Sequence, residues 1–91
     1  MNKQLREQVR LSLLRHLDAN NSQYGLTSRL LLQQIHSDGF RTVEPAALQN
    51  ELIYLADKLL VKQIDKLLSP EVEAWRITAA GRDYFAQNDP D

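Results

Sequence analysis

The sequence predicts a mainly α-helical domain with one small β-hairpin, its elements in the order α-α-α-β-β-α. Three observations lead there. Apolar residues recur at helical spacing in three successive stretches before residue 60. Two short β-prone segments then flank Ser69-Pro70, a turn signal. Finally, Thr78 stands where a strand hands over to a last helix, as a residue type that caps helices well.

The first helix is read over Gln4 to Ala19. Val9, Leu13 and Leu17 form its apolar stripe, and Leu11 and Leu14 widen it. So wide an arc serves either burial between two elements of one monomer or contact with a second subunit. Asn20-Asn21-Ser22-Gln23 ends the helix with turn-prone residues. The second helix opens at Thr27 as N-cap, with Leu26 and Leu31 at the two positions of a hydrophobic staple. Leu31, Leu32 and Ile35 face inward, and Gly39 supplies the left-handed residue that closes the helix.

The third helix begins near Glu44-Pro45, because proline at the first helical position has its φ preset and gives up no needed hydrogen bond. Leu48, Leu52, Leu55 and Leu59 make one stripe; Ala46, Asn50, Ile53, Tyr54 and Asp57 make the opposite face. Residues Leu60 to Leu67 read as a strand and Glu73 to Ile77 as its return, with Trp75 and Ile77 on one face by alternation. The last helix runs from about Ala79 to Ala86, with Tyr84 and Phe85 available to pack back. Residues Gln87 to Asp91 read as a polar, frayed tail.

Composition narrows the function classes. With 91 residues the chain reads as one domain, and 43% apolar residues is ordinary for a globular protein. It holds no cysteine, which excludes disulfides and thiolate metal sites. It holds no apolar run long enough for a membrane span and no signal-peptide pattern, so a cytoplasmic protein is expected. No enzyme, cofactor or metal is expected. His16 and His36 lie on different helices without a matched carboxylate, and His16 reads as a helix-surface residue. The three glycines are isolated and form no phosphate loop, and the serines lack a nucleophile-elbow context.

Two stretches carry a resemblance. Arg10-Leu11-Ser12-Leu13-Leu14-Arg15-His16-Leu17 is similar to a first-helix pattern R-L-x-I-L-x-x-L. Trp75-Arg76-Ile77-Thr78-Ala79-Ala80-Gly81 is similar to an aromatic-x-Leu-Thr-x-x-Gly motif. With the element order, they resemble winged helix-turn-helix domains, found in several families of small bacterial regulators. The chain as a whole resembles short winged-helix proteins of Mu-like prophages, encoded near lysis and terminase genes. Leu31-Leu32-Gln33-Gln34 and the span Leu48 to Val61 fall in matching order. In the motif, Thr78 turns strand into helix and Gly81 permits close packing. Two departures stand out. Leu59 occupies a place often held by glycine; a left-handed leucine there costs about 1 kcal/mol or more, so the helix is expected to end differently. Glu44 replaces the usual Ser, Thr or Asp cap.

The resemblance implies double-stranded DNA as partner, read by the third helix and wing, with a homodimer formed through the first helix or the wing. On the third helix Gln49, Asn50 and Tyr54 are the candidate contacts, since Asn or Gln can pair with adenine at two points. Arg41, Lys62, Lys66 and Arg76 are the candidate phosphate contacts. Charge argues against this. The whole chain carries −1, and residues 44–59 set Lys58 against Glu44, Glu51 and Asp57. The wing tip, Leu67-Leu68-Ser69-Pro70, is apolar and suits a protein partner. The alternative is therefore a winged-helix protein-interaction module of phage assembly or lysis, without DNA binding.

Overall fold

The computed structural model describes residues 1–64 and 73–89. In chain order the elements are α1 (Lys3–Ala19), β1 (Leu26–Thr27), α2 (Ser28–Ser37), α3 (Pro45–Asp57), β2 (Val61–Ile64), β3 (Ala74–Ile77) and α4 (Ala79–Asn88). The chain is mainly helical, with a small antiparallel sheet.

Caps set most of the helix starts. Asn2 accepts from the Leu5 N–H at 2.8 Å, Thr27 from the Leu30 N–H at 3.2 Å and Thr78 from the Gly81 N–H at 3.0 Å. Glu44 precedes α3 without a side-chain cap bond; Pro45 begins the helix in its place. α4 extends through Asn88, beyond the expected end at Ala86, and the Asp89 N–H still bonds the Phe85 carbonyl at 2.8 Å.

The helix ends bring one correction. α2 closes on Gly39 (φ 106°), with Gly39 N–H bonded to His36 O and Phe40 N–H to Ile35 O, the paired bonds of a Schellman motif. α3 closes in the same way, although Leu59 stands at the left-handed position, with φ 65°. Its N–H reaches Ala56 O, and the Leu60 N–H reaches Leu55 O, both at 2.9 Å. The expectation that α3 ends without a left-handed residue is thus wrong. The two hydrogen bonds of the cap and the partial burial of Leu60 against the core offset the strain at Leu59. Leu59 also leaves the apolar stripe: it is 73% exposed, because the left-handed turn swings it off the helix face that Leu48, Leu52 and Leu55 bury.

Among the described residues the sheet has three strands in the order β1-β3-β2, rather than the two of a bare hairpin. β1 pairs Leu26 with Trp75 and Thr27 with Ala74; β2 pairs Val61 with Ile77, Lys62 with Arg76, Gln63 with Trp75 and Ile64 with Ala74. At two residues β1 is too short to show alternation, which is why the sequence does not announce it. β2 begins at Val61, since Leu60 belongs to the helix cap, and the rest of the expected strand and the wing tip lie outside the described residues.

One core joins these layers. Val9, Leu13, Leu14 and Leu17 of α1 meet Leu31 and Ile35 of α2, Leu48, Leu52 and Leu55 of α3, and Val61, Trp75 and Ile77 of the sheet. Leu14 is wholly buried, so its place in the wide arc of α1 is explained inside the chain; Leu11 is half-buried. Gly81 is the contact point of α4. A Cβ there would collide with the Leu60 carbonyl oxygen and lie 2.7 Å from Ile77 Cγ1, so only glycine lets α4 cross the α3–β2 junction.

Candidate nucleic-acid interface

α3 is held from three sides. From α1, Arg10 Nε donates to Glu51 Oε1 at 2.6 Å and Arg6 Nε to Glu51 Oε2 at 3.2 Å. Glu51 is only 2% exposed, so its charge is taken out of water against two guanidinium groups. The Arg10 guanidinium carbon also lies 3.7 Å from the centre of the Tyr54 ring, in cation–π range. From α2, His36 Nε2 donates to the Val43 carbonyl at 2.7 Å, bracing the turn that leads into α3. From the sheet side, Gln49 Nε2 donates to Glu73 Oε2 at 2.9 Å.

These bonds redistribute the charge that sequence counting placed on α3. Glu51 does not face outward; it faces α1 and is neutralised there. The signal was present at four-residue spacing, Arg6 and Arg10 on one side of α1, yet nothing in the sequence says which carboxylate they meet. The exposed side of α3 holds Ala46, Asn50, Ile53 and Asp57.

The candidate contacts separate accordingly. Asn50 is exposed. Gln49 is half-buried and engaged with Glu73, and Tyr54 is engaged with Arg10. Arg41 is exposed in the turn between α2 and α3 and forms no ion pair among the described residues. Lys62 and Arg76 are brought together: they are direct partners on antiparallel strands, hence on the same face of the sheet, away from Val61, Trp75 and Ile77. Neither meets a carboxylate among the described residues, and Arg76 Nε is buried without a hydrogen-bond partner. Lys66 lies outside the described residues.

A second polar cluster, on α1 and the end of α2, escapes sequence reasoning altogether. Ser12 Oγ and His16 Nε2 both donate to Asp38 Oδ2 at 2.7 Å. His16, read from the sequence as a helix-surface residue without a matched carboxylate, has one in Asp38 at that surface; the two lie 22 positions apart, and only the α1–α2 crossing joins them. Asp38 caps the C-terminal end of α2, where the helix dipole disfavours an anion. The Ser12 hydrogen bond, first, and then the hydrogen bond and charge of His16 and the charge of Arg15 hold its carboxyl below the ordinary value; partial burial opposes them. Among the described residues, no three His, Cys, Asp or Glu side chains are grouped to hold a metal ion. Nor, among the described residues, is any helix long and apolar enough to cross a membrane.

Neither protein-family models nor curated proteins give a match to this chain.

Proposed function

We propose that the chain is a small winged-helix DNA-binding protein, a transcriptional regulator of phage or prophage type, with α3 as the reading element and the β2–β3 wing as a phosphate clamp. The observation that carries this reading is the Lys62–Arg76 pair. Like charges directly opposite on a sheet destabilise it, and here no carboxylate among the described residues offsets them. A phosphate backbone supplies the missing charge. The retreat of Glu51 into the α1 contact lends further support, since it removes one carboxylate from the surface a duplex would approach. Asn50, exposed on α3, is the residue suited to a base edge.

The test is an anisotropy titration of a labelled mixed-sequence duplex across a salt series. Binding weakens as salt rises, and Lys62→Ala and Arg76→Ala each reduce the log–log salt slope by about 1. Absence of binding at low salt sinks the proposal.

A second reading, a protein-interaction module without DNA binding, draws on a different observation. Leu30 and Ile53 are 45% and 46% exposed, and Gln49 is already engaged with Glu73. Exposed apolar side chains on α2 and α3 suit a protein partner better than a phosphate backbone.

A further inference from the structure

One side-chain hydrogen bond ties the outer part of α3 to the wing. Gln49 Nε2 donates to Glu73 Oε2 at 2.9 Å, across 24 positions of sequence. Gln49 borders the exposed face of Ala46, Asn50 and Ile53, and Glu73 immediately precedes β3. Glu73 is itself anchored: its carbonyl accepts from the Ser28 N–H at 3.2 Å, and Trp75, two residues on, is buried. Its carboxylate forms no ion pair among the described residues, so the Gln49 amide is the partner it engages there.

That bond has a chemical direction. An amide has a donor end and an acceptor end, whereas a carboxylate only accepts. Beside Glu73 the Gln49 amide therefore stands one way round, with its nitrogen toward the wing. Its oxygen is left over. Gln49 Oε1 accepts no hydrogen bond among the described residues, and it is not one of the buried atoms without a partner, which are Gln34 Oε1 and Arg76 Nε. It is an acceptor within reach of solvent, held by a neighbour that cannot exchange roles with it.

Resting on the reading of α3 as the element that meets a duplex, we propose that Glu73 is a positioning residue for base selection. By fixing the Gln49 amide, it makes α3 select an amino base, adenine or cytosine, over a keto base, guanine or thymine, on the strand that Gln49 meets. In the major groove adenine N6 and cytosine N4 offer donors, whereas guanine O6 and thymine O4 offer acceptors. A freely turning glutamine serves either kind. One held by a carboxylate serves the first, because turning round would put its own oxygen against Glu73. Its second N–H stays at the nitrogen end beside the carboxylate, where a keto oxygen would meet like charge.

Selection by the full chain from a duplex pool with a randomised centre, at low salt, reads the result. The native chain enriches a site, and Gln49→Ala loses preference at one position of it, which marks the base that Gln49 meets. At that position the native chain favours adenine or cytosine over guanine or thymine about tenfold. Glu73→Gln keeps the side-chain shape but lets the amide turn, since the new side chain both donates and accepts; the preference falls to about twofold or less. The double exchange of Gln49→Glu with Glu73→Gln restores it, because position 73 then donates and position 49 again presents an acceptor. A Glu73 that merely supported the fold would weaken binding to all sequences alike and leave the preference in place. Retention of no duplex at low salt overturns the DNA-binding reading and this role of Glu73 with it. Binding without an amino-base preference at that position, a preference that Glu73→Gln leaves intact, or a double exchange that fails to restore it overturns the role of Glu73 alone.

Discussion

Arg10 of α1 donates to Glu51 of α3, 41 positions away in the sequence, across 2.6 Å, and lays the same guanidinium over Tyr54 on the next turn of α3. The pair fixes where α3 sits against α1, and so fixes which side of α3 is left to solvent. Glu51→Ala leaves Arg10 facing α3 without its counter-charge. The loss is about 2 kcal/mol, below the 3–5 kcal/mol typical of wholly buried pairs, because Arg6 remains half-exposed. Thermal denaturation measures it, each kcal/mol lowering the midpoint by about 4–8 °C in a domain of this size. An unchanged midpoint would show that the contact contributes nothing to stability.

Leu59→Gly acts in the opposite direction. Relief of the left-handed backbone at the end of α3 raises monomer stability by about 1 kcal/mol, part of it returned through the greater freedom of glycine in the unfolded chain. Gly39→Ala, at the equivalent position of α2, lowers stability by a similar amount. An added Cβ at Gly39 meets nothing within 4 Å, so this variant isolates the backbone term from packing. Urea denaturation of both variants compares the two caps directly.

These two caps also mark how far the sequence can be read. The periodicity of α1, α2 and α3 and the capping signals at Thr27, Pro45, Gly39 and Thr78 are local, and each corresponds to an element boundary in the structure. What was not legible depends on the crossing of distant segments. β1 is defined by its bonds to β3 and not by its own residues. Glu51, His16 and Asp38 look like surface charges until α1 is packed against α2 and α3. Leu59 fits the apolar spacing of α3 perfectly well; it is the cap geometry, set by Leu60 and Thr78 beyond it, that turns it outward. For the candidate site, the outward place of Asn50 follows from pattern, whereas the pairing of Lys62 with Arg76 and the engagement of Gln49 by Glu73 require the fold.

Gly81→Ala is expected to be damaging for a reason distinct from backbone freedom. Its new methyl group meets the Leu60 carbonyl oxygen, which already accepts from the Thr78 N–H at 3.0 Å, so either α4 or the β2 entry must shift. Overpacking of this kind costs about 1–3 kcal/mol. Hydrogen exchange locates the effect: protection should fall first in α4 and at the Thr78–Leu60 bond. A uniform fall across the chain would argue against a local clash.

Acid should find Asp38. Its folded pKa lies below the ordinary value of 3.8, so the ionised form contributes stability above that pH, and the contribution is lost as pH falls through the depressed folded value. Asp38→Asn removes that acid dependence, giving a shallower decline of stability below about pH 4 than the native chain shows. Ser12→Ala, which deletes the largest cause of the shift, reduces the same limb in part. Chemical denaturation at several pH values between 2 and 5 decides it; identical acid limbs for all three proteins would remove Asp38 from the account.

Asn50→Ala separates reading from holding. If the exposed face of α3 meets base edges, selection from a random duplex pool loses discrimination at one position, a change of about 1–3 kcal/mol between right and wrong base, while non-specific affinity and its salt slope stay as they were. A uniform loss over all sequences would assign Asn50 to the backbone instead.

The chain carries a single tryptophan, and the fold puts it where strands distant in sequence meet. Trp75 is buried, it pairs with Leu26 on one side and Gln63 on the other, and its indole N–H donates to Ser28 Oγ, 47 positions away, at 2.9 Å. Closing that ring of contacts requires a long loop to have formed already, a slower event than winding any of the helices. The intrinsic fluorescence of this protein is therefore a native clock for sheet closure, one that can be watched separately from the helical signal in the far ultraviolet without adding a label.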